Sequence, residues 1–77
     1  MDDIYIFLEK VNGKPVNAVW PNRDALVWTL TPTPKIRVIL LYEKYTIQRI
    51  HDGKVEVYEI KTVEELKNKL SEFDITL

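Results

Sequence analysis

Two turn signals forty residues apart, Asn12-Gly13-Lys14 and Asp52-Gly53-Lys54, constrain this chain more than any other feature. Asn-Gly and Asp-Gly pairs close tight hairpins, because such turns need φ > 0 and these residues reach it at small steric cost. Shifting the chain on itself by the same offset, without gaps, lays Tyr5 on Tyr45, Gly13 on Gly53, Lys14 on Lys54, Leu26 on Leu66 and Leu30 on Leu70. Equivalent pairs accompany them: Phe7 with Ile47, Trp20 with Ile60, Asn22 with Thr62, and Asp24 with Glu64. The spacing predicts a tandem repeat in which each unit is a hairpin followed by a helix.

The second unit carries the clearer helix. Thr62 and Glu65 form a capping box, and Val63, Leu66, Leu70 and Phe73 follow at helical spacing. Residues 25–31 taken alone alternate as a strand does, with Leu26, Trp28 and Leu30 set against Val27, Thr29 and Thr31. The repeat decides for a helix over 22–30, capped by Asn22 with Asp24 in its first turn. The expected order is therefore strand 3–11, strand 15–20, helix 22–30, strand 36–42, strand 44–51, strand 54–60 and helix 62–73. That is an α+β domain with a tandem ββα pseudo-repeat (β-β-α-β-β-β-α). Its mainly antiparallel sheet of about five strands carries two helices on one face. Thr31-Pro32-Thr33-Pro34 reads as a stiff, extended connector between the halves. Ile75 and Leu77 in the tail are expected to pack or to pair as a short strand.

Seventy-seven residues hold one core. A chain this short buries only about 60% of its unfolded surface, so it benefits from a disulfide, a structural metal or oligomerisation. It has no cysteine, and His51 is its single histidine. Disulfides and thiolate zinc sites are excluded, an imidazole site has little to build on, and oligomerisation remains open. No cofactor is expected. The acidic start Met1-Asp2-Asp3 is unlike a basic leader segment, and the apolar run Val38 to Tyr42 is far short of a membrane span. These features point to a cytoplasmic protein. The excess of Lys and Glu, with one Gln and one Ser, points to a heat-adapted source, an archaeon or one of its viruses.

Strand parity leads to the functional expectation. Trp20 and Ile60 immediately precede the helices, so their face, with Val16, Ala18 and Tyr58, is the one the helices should cover. Ile4, Ile6, Leu8, Val19, Val55 and Val57 then share the opposite face, which would be polar if water covered it. Three explanations stand side by side. The sheet curls on itself, the register switches at a bulge, or a partner covers the face, most simply a second copy of the chain. A non-enzymatic interaction or regulatory protein, working as a homodimer or docking onto another protein, is the leading expectation.

Chemistry is sparse. His51 and Asp52 adjoin at a hairpin, but with no Cys, and with Ser71 near the end of the last helix, no nucleophile-base set assembles. The carboxylates lack calcium-loop spacing, and no glycine-rich phosphate loop is present. The stretch 35–61 carries Lys35, Arg37, Lys44, Arg49, Lys54 and Lys61 among tyrosines, which suggests a nucleic-acid surface using Arg37, Lys44 and Arg49 as the alternative. A net charge of −1 weighs against a binder dominated by phosphate contacts.

Overall fold

Asp2 caps a helix where the repeat predicts a strand. In the computed structural model, which describes residues 2–19, 24–32 and 35–75, α1 spans Asp3–Asn12. Oδ1 of Asp2 accepts the N–H of Tyr5 at 3.2 Å, satisfying one of the free donors of the first turn. Ile4, Phe7, Leu8 and Val11 recur at i, i+3, i+4 and i+7, and Ile4 and Leu8 are buried. Gly13 ends the helix. Its φ of 83° with ψ of −162° lies in a region open almost only to glycine, and its N–H donates to the Glu9 carbonyl at 2.9 Å. The positive φ expected at this glycine is real, but it serves a helix exit and not a hairpin.

Five strands follow: β1 (Val16–Val19), β2 (Asp24–Pro32), β3 (Lys35–Leu41), β4 (Lys44–His51) and β5 (Lys54–Ile60). They form one antiparallel sheet in the order β1-β2-β3-β4-β5, and α2 (Val63–Glu72) closes the chain. The fold is α+β, with a five-stranded antiparallel sheet and two helices, as expected. The elements of the first half come out exchanged. Residues 3–11 are helical and 24–32 are a strand, so the order is α-β-β-β-β-β-α and the halves do not superpose as ββα units. The alternation of Leu26, Trp28 and Leu30 proves stronger than the helix inferred from the offset, since each of the three packs in or against the core. The proposed cap Asn22 lies outside the described residues, as do Trp20 and Thr33-Pro34. Thr31 and Pro32, read as connector, end β2.

Cross-strand register defines the helix-covered face. One row runs Asn17, Leu26, Leu40, Tyr45, Ile60; the next runs Trp28, Val38, Ile47, Tyr58; a third runs Thr31, Ile36, Arg49, Glu56. A shift between Thr29 and Thr31 brings Leu30 in as an extra residue, and its side chain still packs against the core. Ile4 and Leu8 from α1 and Leu66 and Leu70 from α2 close this core. Trp28 sits at its centre, edge-on to Tyr5 with ring centroids 5.3 Å apart, and its indole N–H donates to the Gly13 carbonyl at 3.2 Å. At the other end Thr62 caps α2, its Oγ1 accepting the Glu65 N–H at 3.0 Å as the capping box requires. Ile75 packs against the core, and its N–H donates to the Leu70 carbonyl at 2.8 Å.

Candidate functional site

The same register fixes what stands on the other side of the sheet. One row runs Val16, Val27, Ile39, Thr46, Glu59, and a second runs Thr29, Arg37, Gln48, Val57. Lys35, Ile50 and Val55 form a third, while Ala18 with Ala25 and Leu41 with Lys44 complete the face. Both helices pack on the opposite side, so among the described residues no element lies over this one. Val16, Val55 and Val57 are 69%, 59% and 51% exposed, more than β-branched side chains usually are in a finished core.

The face is not flat. Ile39 is only 4% exposed although no helix covers it, and Ala25 and Gln48 are also buried. Side chains on the same face are close enough to cover them without a helix. They leave a groove of about 300 Å³ lined by Ile39, Leu41, Tyr42, Lys44, Thr46, Gln48 and Val57. Gln48 is oriented there by Arg37, whose Nε donates to Gln48 Oε1 at 2.7 Å.

The expected interface residues divide. Val55 and Val57 stand on the open face. Ile4 and Leu8 do not, because they are core residues of α1, and Ile6 is on that helix's exposed side. Val19 is exposed but pairs with Asp24, which puts it on the helix side by parity, while Val16 and Ala18 take the open side. Parity in β1 had been set by a helix expected to follow Trp20, and β2 stands there instead. Open-face apolar residues that sequence reasoning missed include Val16, Val27, Ile50, Ile39 and Leu41. The apolar run through β3, which leaves both of its sides apolar, was the signal for the last two.

The three cations of the nucleic-acid alternative fall on two sides. Arg37 and Lys44 are on the open face, whereas Arg49 is on the helix side and bound to Glu56. Arg49 Nε donates to Glu56 Oε2 at 2.7 Å, the Tyr58 hydroxyl donates to Glu56 Oε1 at 2.9 Å, and His51 Nε2 lies 3.5 Å from Oε2. The Arg49 bond first, then the Tyr58 bond, holds the Glu56 carboxyl below the usual carboxylate range. Its hydrogen bond to Glu56, with partial burial, pushes the Tyr58 hydroxyl up. The Arg49 guanidinium lies 4.6 Å over the Phe73 ring and Lys69 Nζ lies 3.9 Å over the Tyr58 ring, so the group ties β4 and β5 to the end of α2. His51 is set between this group and Asp52, whose Oδ2 is 3.4 Å from Nδ1. Among the described residues, no three His, Cys, Asp or Glu side chains converge as a metal site requires. No described helix is long and apolar enough to cross a membrane.

Compared with protein-family models, curated proteins and solved structures, the chain matches none of them.

Proposed function

We propose that this chain is a non-enzymatic interaction module that works as a homodimer, two copies meeting through the open face of the sheet. The observation that supports it is the exposure of Val16 on one edge strand and of Val55 and Val57 on the other, all on a side that neither helix covers. A second copy is the simplest occupant, since one two-fold contact covers the same face on both partners. Burying a fully exposed valine contributes about 1.5–3 kcal/mol gross, and each of these, already partly covered, contributes less. Face-to-face packing also adds the second sheet layer that a lone, small two-layer domain lacks. The same reading sets the protein in the cytoplasm of a heat-adapted source, in keeping with its cysteine-free, Lys- and Glu-rich sequence. The nucleic-acid reading is less well supported, since Arg49 is engaged by Glu56 away from Arg37 and Lys44.

Light scattering on two lysine variants tests the proposal. Val57→Lys places a charge on the open face and should yield monomers. Ile6→Lys places the same charge on the outer side of α1 and should leave the dimer intact. Dissociation by Ile6→Lys and not by Val57→Lys would assign the interface to the helical side and overturn the reading.

A further inference from the structure

Asn12-Gly13 forms the exit of α1, where a hairpin was expected. β1 pairs with β2 only as far as Val27, and the next two residues of β2 are met by this exit instead. The Trp28 indole N–H donates to the Gly13 carbonyl at 3.2 Å, and Asn12 Nδ2 donates to the Thr29 carbonyl at 3.3 Å. The Gly13 N–H is engaged as well, donating to the Glu9 carbonyl at 2.9 Å. Both residues are exposed, so water reaches them. Asn12 is the only one of the four asparagines that precedes glycine; Asn17, Asn22 and Asn68 precede Ala18, Arg23 and Lys69. An asparagine side-chain carbonyl carbon and the next backbone nitrogen can close a five-membered ring, and glycine, with no Cβ, leaves that approach open.

We propose that Asn12 is a site of spontaneous deamidation, gated by opening of the α1 exit, and that its product releases α1 from β2. The Gly13 nitrogen gives its proton to hydroxide and bonds to the Asn12 side-chain carbonyl carbon. The bond from that carbon to Nδ2 breaks, and Nδ2 takes a proton from water and leaves as ammonia. Water then adds to one of the two carbonyls of the cyclic imide and opens it to aspartate or to its β-linked isomer. In the folded chain both partners of the ring closure are occupied. Glu9 holds the Gly13 nitrogen, and the Asn12 side chain must leave Thr29 before its carbon can meet that nitrogen. The reaction therefore draws on molecules whose helix end has opened, which costs less than opening the core. Afterwards the bond to Thr29 cannot re-form, because a carboxylate accepts and does not donate. It also sets a negative charge at the C-terminal end of a helix, where the dipole disfavours it. The β-linked isomer inserts a further carbon into the backbone and displaces the carbonyl that Trp28 uses.

Peptide mapping of the full chain by mass spectrometry, after incubation in mildly alkaline buffer with and without urea, tests this. Amide loss should occur at Asn12 before the other asparagines. In buffer it should be about 10-fold slower or more than in urea, the scale of two hydrogen bonds that must open first. Asn12→Gln, which would need a six-membered ring, should keep its amide over the same period. Asn12→Asp and the deamidated fraction should melt about 4 °C or more below the wild type, the shift of one lost hydrogen bond in a domain of this size. Equal rates in buffer and urea would overturn the gate, and earlier loss at another asparagine would overturn the site. Loss from Asn12→Gln at the same rate would mean direct hydrolysis and overturn the ring closure. Melting of Asn12→Asp and the deamidated fraction together with the wild type would overturn the release of α1.

Discussion

The hydroxyl of Tyr45 donates to Oδ2 of Asp2 over 2.5 Å, joining two residues 43 positions apart. The other oxygen of that carboxylate caps α1, so one side chain both starts the helix and attaches it to β4. Asp2→Ala should cost about 1–2 kcal/mol, the range of a lost cap. Tyr45→Phe, which removes one hydrogen bond and keeps the ring in place, should cost about 0.5–1.5 kcal/mol. Because the two changes share a bond, the double variant should lose less than the sum of the singles in urea unfolding. Strict additivity would show that the bond contributes nothing to stability.

The same contact sets the alkaline limit. Burial first, and then the Asp2 bond and charge, raise the Tyr45 hydroxyl well above its ordinary value of about 10. The folded state therefore holds this proton more tightly than the unfolded chain. Its contribution is complete below about pH 10 and is lost as pH rises further. Tyr58, shifted up as well, acts in the same direction. Melting temperature should fall less steeply above about pH 10 in Tyr45→Phe than in the wild type. Parallel curves would contradict this.

At the acidic limit the sign is reversed. Glu56 is held below its ordinary value of 4.5, chiefly by Arg49. Its contribution is present above that value and is lost as pH falls through the lower, folded-state value. Glu56→Gln should flatten the acid limb of the stability curve and loosen the end of α2, read as faster amide exchange near Phe73. An acid limb unchanged by the substitution would show that Glu56 does not set it.

Gly13 and Gly53 should respond unequally to alanine. Each has open space where a Cβ would stand, so only backbone strain separates them. Gly53 has φ of 74° inside a hairpin pair that short polar residues tolerate. Gly13 combines its positive φ with ψ of −162°, where a side chain is hardly accommodated. Gly13→Ala should cost about 1–3 kcal/mol and Gly53→Ala about 1 kcal/mol in chemical denaturation. The opposite order would mean that the exit from α1 relaxes freely.

The second half of the chain was legible because its signals agree. Asp52-Gly53 closes a hairpin, Thr62 caps a helix, and strands 44–51 and 54–60 fall within the observed bounds. The first half was not, for a physical reason. Ile4 through Leu8 is an unbroken apolar run that satisfies period two and period 3.6 alike. The forty-residue offset then favoured a strand, although Asp2 and Gly13 bracket a helix as its caps. Residues 25–31 show the converse, their plain alternation set aside for a cap at Asn22. The candidate face inherited both exchanges, losing Ile4 and Leu8 to the core, while Val55 and Val57 remained on the open side because β5 was read in its observed register. Tyr42 carries no sequence signal as a turn residue, since its type is unsuited to the φ it adopts.

The dimer is the central claim, and the mass of the particle in solution tests it most directly. Sedimentation equilibrium of the wild-type chain, from low micromolar to millimolar concentration, should show mass rising from 9.1 kDa to twice that value. The rise should be absent in Val57→Lys and present in Ile6→Lys. A wild type that remains at 9.1 kDa throughout the range would contradict the account.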